Sequence, residues 1–344
     1  MKKKFFYVFW NFLKFFIIIS IIFVIFFLIF QVLDDLTDFF KYKKPIIFKN
    51  YIYTLPLLFV QISPIITILS LMLIISEMIK NNELKVLFIS GIKPLYIFSI
   101  FLICGFFSSI FTFSVKNFLS PKLIKKVSYQ KLQNSIAFSS SNYFFYSDKL
   151  YGNKFINVEF SEYLESGEIV TIKAERAENY KDTNWIFING YFWRFDDNKN
   201  LILREKFSIK NVNIPLTAEI LSISNIDVEK FSLFQLKKII KKMVDLKLKP
   251  ISLITYFNEK ISYPLLNFFI TFLLYTFLTK SSKISNLYVF SFSFLFFLFI
   301  YSIYIFFFSL SKNAKLNPFI GTWIVHFCVL IYFFIINLKK KVLK

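Results

Sequence analysis

The chain has 344 residues, 56% of them hydrophobic and 22% aromatic, with a formal net charge of +21. Apolar residues gathered into long uncharged blocks at this density exclude a soluble cytosolic enzyme, a disordered chain and a disulfide-rich secreted module, and indicate an integral membrane protein. The charge is not read as a nucleic-acid footprint: nearly every basic residue is Lys, only Arg176, Arg194 and Arg204 break the pattern, and a surplus of Lys, Phe, Ile and Asn is what an AT-rich coding sequence produces.

Six uncharged runs are each long enough to cross about 30 Å of hydrocarbon as helix. They are Phe15–Leu33, Asn50–Ser76, Pro94–Val115, Ile261–Thr279, Ile284–Ser311 and Leu316–Leu338. The first follows a short lysine run, is too long for a signal-peptide core, and leads into Asp34-Asp35 rather than small residues; it is expected to remain as a helix. Between the second and third runs, Asn82–Pro94 reads as a short amphipathic helix. Leu84, Leu87 and Phe88 share its apolar face, Gly91 supplies a C-terminal cap and Pro94 opens the next helix. Such a segment fits an interfacial helix in the head groups or a docking helix for a separate cytoplasmic protein equally well.

Residues 117–255 are the one stretch able to form a water-soluble domain. Ile156, Val158 and Phe160 alternate with polar neighbours, as do Val170 and Ile172, then Tyr191, Trp193 and Phe195, then Leu201 and Leu203. Turn signals at Glu165-Ser166-Gly167, Asn189-Gly190 and Asp196-Asp197-Asn198 separate the runs, so an antiparallel sheet or sandwich is expected, with one apolar face. From Phe231 a helix carrying Lys237, Lys238, Lys241 and Lys242 leads back toward the membrane at Pro250. The expected fold is thus an α-helical polytopic membrane protein of six transmembrane helices with an inserted antiparallel β domain. Its segments are 1–116, 117–255 and 256–344. Lysines on the short loops, Lys2–Lys4, Lys280, Lys283 and Lys339–Lys341, put both termini in the cytoplasm and the β domain outside, although Lys41, Lys43, Lys44 and Lys49 fall on the outer side.

Enzyme chemistry is not written in this chain. The six glycines are scattered and form no phosphate-binding loop. No His/Cys spacing suits a metal, and no nucleophile elbow is present. Cys104 and Cys328 both fall in apolar runs, and the lone His326 reads as an interhelical hydrogen-bonding residue. Asp196 and Asp197 read as a solvated turn, and the six runs themselves carry no charge.

The motifs in their order resemble the permease subunits of the lipopolysaccharide export ABC transporter, the LptF/LptG family. Asn82-Glu83-Leu84 with Ser90-Gly91 is similar to the family's S-E-L-x-x-x-x-A-x-G loop. Pro215–Leu221, Phe231–Leu236 and Leu316-Asn317-Pro318 with Trp323 resemble its later landmarks, and the segment after the β domain looks more like the G type. The resemblance implies three spans, a periplasmic β-jellyroll-like domain and three more spans in a bacterial inner membrane. It implies that residues near 80–92 form a coupling helix, with Glu83, Leu84, Leu87, Phe88 and Gly91 meeting a cytoplasmic ATPase dimer that binds ATP; the chain itself would hold no cofactor and no metal. A second permease subunit of the same layout, periplasmic jellyroll proteins and lipopolysaccharide would be its partners, and nucleic acid would not. Lipid phosphates would meet a basic rim drawn from Lys41, Lys43, Lys44, Lys122, Lys125, Lys126 and Lys131. Acyl chains would pass along Ile156, Val158, Phe160, Val170, Ile172, Trp193 and Phe195. Two rival functions share this layout: a membrane-anchored periplasmic binding or assembly protein, and a mechanotransmission ABC subunit that moves no lipid itself.

Overall fold

A computed structural model describes the chain except for residues 1, 35–43, 127–133, 140–141, 152–153, 165, 182, 215–220, 222–227, 246–248, 276–277, 279–285 and 343–344. The chain divides into two compact units. One joins residues 1–127, 231–234 and 251–344; the other joins residues 128–230 and 235–250.

The first unit is helical. Its elements are α1 (Lys2–Asp34), α2 (Lys44–Lys80), α3 (Glu83–Ile89), α4 (Pro94–Ser114), a π-helical turn (Val115–Leu119) and α5 (Ser120–Ile124). After the second unit come α7 (Ile251–Ile270), extended by a 3-10 turn (Thr271–Leu273), then α8 (Asn286–Lys312) and α9 (Pro318–Val342). The starts follow local chemistry: Pro94 opens α4, and the Asn317 side chain accepts the Phe319 backbone N–H at 2.9 Å where Pro318 opens α9. Ile66, Leu71 and Ile75 of α2 are fully buried, with Phe101 and Cys104 of α4 and Leu266 and Ile270 of α7, so these three helices form the core.

Without a hydrophobic drive between helices in lipid, close approach and polar contacts hold a bundle together. Asn267 on α7 donates to Ser108 at 3.1 Å and Thr112 at 3.0 Å on α4, and Ser108 meets Thr67 of α2 at 2.6 Å. A Cβ on Gly105 would strike Thr271, so α4 and the end of α7 touch. His326 joins α9 to α7 through the Ser262 carbonyl, 2.9 Å from its Nε2, as the sequence suggested.

Among the described residues five helices, not six, are long and apolar enough to cross a membrane: Phe5–Leu33, Asn50–Lys80, Pro94–Ile124, Phe294–Lys312 and Pro318–Ile336. The expected fourth run differs most. Its helix starts at Ile251, ten residues before Ile261, and carries Glu259 and Lys260 inside the bundle. The third span likewise continues past Val115 through the π turn to Ile124 and buries Lys116 and Asn117. The expectation of uncharged spans is corrected by these residues.

The second unit holds six strands: β1 (Asn134–Ser139), β2 (Tyr143–Tyr151), β3 (Lys154–Tyr163), β4 (Ile169–Lys181), β5 (Asn184–Phe195) and β6 (Leu201–Asn213). They form one antiparallel meander in chain order. The crossed connections and paired sheets of a jelly roll are not found among the described strands. Helix α6 (Leu233–Asp245) follows, with Leu236, Ile239 and Met243 buried and its four lysines exposed. Two of the expected turns are found. Gly167 takes φ +86 between β3 and β4, and the Asp196 carboxylate accepts the Asn200 backbone N–H at 2.6 Å between β5 and β6. The third is not: Asn189-Gly190 lies within β5.

That dipeptide folds the sheet instead. Asn157 and Asn189 both sit in the left-handed region, at φ 51 and φ 54. Their side chains donate to Asp148 at 2.8 Å and Glu175 at 3.1 Å. On either side of this row the burial phase slips by one: Phe155 and Val158 are both buried, as are Ala174 and Ala177, and Phe187 and Gly190. The strands therefore bend along a transverse crease. The register runs Phe145–Phe160–Ile172–Phe192. Phe192 lies seven residues from Trp185, which is about 23 Å along a flat strand. Yet the rings of Phe145 and Trp185 are 5.5 Å apart. The sheet closes over its own face, and Phe145, Phe155, Trp185 and Phe187 make the core between the two halves.

Candidate functional site

Helix α3 connects α2 and α4. Glu83 leads its first turn, where a carboxylate complements the helix dipole, and accepts from the Tyr7 hydroxyl at 3.4 Å and the Asn81 amide at 3.5 Å. Its end is capped as the sequence indicated: Gly91 takes φ +79, its N–H reaches the Phe88 carbonyl and that of Ile92 reaches Leu87. The apolar residues divide differently from the expectation. Leu84 and Leu87 are buried and Phe88 packs against the helical core, so the three named as a partner-facing set fasten α3 to its own bundle. The outward apolar residues are Val86, 62% exposed, and Ile89, 87% exposed, beside exposed Lys85. Sequence periodicity shows an apolar stripe but not which side the bundle occupies. Beneath α3 a pocket of about 270 Å³ is lined by Tyr7, Glu83, Val86, Leu87, Tyr96 and Ile100.

A second arrangement lies deeper and was not legible in the sequence. The Lys116 ammonium pairs with the Glu259 carboxylate; both residues are buried. Lys116 also lies 4.7 Å from the centre of the Tyr263 ring, and that hydroxyl donates to the Gln61 carbonyl of α2. Asn117 donates to the Lys260 carbonyl at 3.3 Å, and the Lys260 side chain is itself almost wholly buried. The π turn places Lys116 and Asn117 side by side toward α7, a use of π-helical segments that recurs at functional sites. Pairing is the condition for charge inside lipid, because unpaired ions there are costly.

The expected basic rim is dispersed. Lys122, Lys125 and Lys126 are exposed beyond the π turn, and Lys44 is the first residue of α2. Lys41, Lys43 and Lys131 lie outside the described residues.

The expected apolar path is split by the sheet. Val158, Phe160 and Ile172 line the closed interior at 1% exposure or less, and Ile156 and Val170 are half-buried. Trp193 pairs in register with Thr171, and Phe195 with Ile169, which puts both on the face opposite Ile172. The interior is instead completed by Phe145, Phe155, Trp185 and Phe187. At the β6 edge Lys210 bridges the bend, 2.6 Å from Glu205 and 3.8 Å above the Phe192 ring. Among the described residues no group of three His, Cys, Asp or Glu could hold a metal ion.

A family model described as "Lipopolysaccharide export system permease LptF/LptG" matches residues 6–339, nearly the whole chain. No curated protein matches.

Proposed function

The chain belongs to the lipopolysaccharide export permease family LptF/LptG, and on that premise we propose that it is one of two permease subunits of an ABC exporter that lifts lipopolysaccharide out of a bacterial inner membrane. ATP is bound and hydrolysed by a separate cytoplasmic ATPase dimer, and this chain contributes no cofactor. Both termini face the cytoplasm and the β unit faces the periplasm, where it hands the lipid to jellyroll partners.

The observation that carries this reading is α3. A seven-residue helix joins two spans, is fastened by buried Leu84 and Leu87, and turns Val86 and Ile89 outward. Exposed large apolar side chains on a short, firmly anchored helix suit a groove on a soluble partner. Force applied there passes directly into α2 and α4, which flank it. The poorly covered flank of α1, with Ile17, Ile21, Ile25 and Ile29 each more than half exposed, suits the lipid or a second subunit. Movement of α2, α4 and α7 drives export only where the two states of the bundle bind lipid with different affinity. Lys122, Lys125 and Lys126 then offer cations to the lipid phosphates.

Co-purification tests the reading. The ATPase should be recovered with the wild-type chain and lost with Ile89→Asp, while the variant stays folded in detergent. Full recovery and unchanged lipid-stimulated ATPase activity would return α3 to the role of an interfacial helix.

A further inference from the structure

The outward face of β4–β6 has a composition that the export reading does not use. Tyr191 and Trp193 stack on each other there, 5.7 Å between ring centres and 18° between planes, and both are half-exposed. Across the ladder Tyr191 pairs with Lys206 and Trp193 with Arg204. The Arg204 guanidinium lies 5.2 Å from the Tyr191 ring centre and the Lys206 ammonium 5.9 Å. On the β4 side Lys173 pairs in register with Tyr191 and makes a 3.7 Å ion pair with Glu159. An open concavity of about 780 Å³ borders the platform, lined by Asn157, Lys173, Glu175, Asn189, Tyr191 and Lys206.

Three features set this face apart from an ordinary solvated one. A flat aromatic pair on the outside of a folded sheet keeps apolar area in water that the closed interior has no need of. Arg204 and Lys206 have no carboxylate partner among the described residues, whereas Lys154, Lys173, Arg194 and Lys210 of the same unit pair with Glu178, Glu159, Glu168 and Glu205. Arg204 is also one of three arginines against 39 lysines in the chain. Where composition drives cations to Lys, a retained guanidinium points to a planar, two-pronged acceptor such as a phosphate.

We propose that the platform of Tyr191, Trp193, Arg204 and Lys206 binds a phosphorylated saccharide. The ring pair stacks against the C–H face of a pyranose, and the two cations hold its phosphate. The asparagine and glutamate groups of the concavity line the path of the next sugar. The site rests on the export reading for the bearer of that sugar: the polar head of the lipid runs outside the sheet.

The test uses the full chain in nanodiscs and a lipopolysaccharide core oligosaccharide stripped of its acyl chains, with binding followed by thermophoresis. Enzymatic dephosphorylation of the oligosaccharide, Trp193→Ala and Arg204→Gln with Lys206→Gln should each weaken binding by about tenfold. Lys237→Gln with Lys238→Gln, on exposed positions of α6, should leave it unchanged. Binding that ignores Trp193→Ala and the Arg204/Lys206 pair would overturn the proposal, and so would complete displacement by an equal concentration of inorganic phosphate, which would reduce the site to an anion contact. The probe has no acyl chain and is not transported. Retained oligosaccharide binding with failed lipid export would therefore count against the permease reading alone.

Discussion

Lys116 and Glu259 stand 143 residues apart in the chain and form an ion pair inside the helical bundle. The pair fastens the end of the third span to α7. Removing one partner strands the other charge away from water, which typically costs about 3–5 kcal/mol, whereas replacing both with apolar residues is often neutral. Lys116→Met should therefore lower the melting temperature in detergent sharply, and Lys116→Met with Glu259→Leu should restore most of it. A double variant that loses the sum of the two single losses would show that the two residues act independently.

Exposed Ile89 and buried Leu84 of α3 should separate cleanly. Truncating an apolar anchor at an interface commonly costs at least about 2 kcal/mol, more than tenfold in affinity. Ile89→Ala is expected to weaken ATPase recovery while the melting temperature holds. Leu84→Ala should cost about 2–5 kcal/mol of stability, because it opens a cavity in the bundle. Titrating the ATPase against each variant, with a melting curve for each, distinguishes the two outcomes.

Topology can be read with single cysteines in a background lacking Cys104 and Cys328. Ser166, exposed in the β3–β4 turn, should react with a membrane-impermeant thiol reagent on intact cells, and Ser90, exposed at the end of α3, should not. Labelling of Ser90 alone would invert the orientation proposed for the whole chain.

The β5–β6 turn gives a pH dependence. Hydrogen bonds from the Asn200 backbone N–H and side chain hold the Asp196 carboxyl below the usual carboxylate range. A lowered value in the folded state means stabilisation that is complete above the ordinary carboxylate range and fades as pH falls through the lowered one. Asp196→Asn should slightly destabilise the β unit at neutral pH, and the difference from wild type should vanish in strong acid. Thermal melts across pH check the sign.

The folded interior of the sheet sets conditions on lipid passage. Phe207 is buried on β6, the edge strand, where the two halves meet solvent. A benzophenone amino acid at Phe207 should capture lipid only while the ATPase turns over, since the closed core leaves no open groove. Lipid adducts of equal yield without ATP would mean that the halves stand apart at rest.

The sequence disclosed the order of elements, and the failures share two causes. Span ends were set at charges, so Lys116 cut the third run short and Glu259 and Lys260 delayed the fourth. Lys116 and Glu259 are compatible with the bundle through each other, 143 residues apart, and single-chain hydropathy carries no record of pairing. In the β unit, alternation located β3 to β6, but it assumes a constant phase. The left-handed Asn157 and Asn189 advance that phase by one, so Phe155 and Phe187 were overlooked, whereas Trp193 was assigned to the face of Ile172 because β5 is apolar on both faces there and it is Phe192 that pairs with Ile172. An Asn-Gly pair reads as a hairpin because hairpins also need positive φ. At α3 the helix and its glycine cap were legible from Gly91 and Pro94, although it is shorter than the Asn82–Pro94 stretch, at Glu83–Ile89, and its orientation depended on a bundle that the segment does not encode.

The crease also determines how the β unit yields to load. Both of its layers are cut from the same strands; the ladder hydrogen bonds stand on either side of the bend and lapse at the crease itself, in the row of Asp148, Asn157, Glu175, Asn189 and Ser208. Swinging the layers apart, like covers about a spine, need sever none of those bonds; the resistance comes from the aromatic contacts of Phe145 with Trp185 and Phe155 and, at the outer edge, from the hold of Lys210 on Glu205 and the Phe192 ring. Pulling along the strands meets the full covalent chain. Such a body is stiff in tension and compliant in flexure, and it returns to one closed shape because no pairing register is lost on opening.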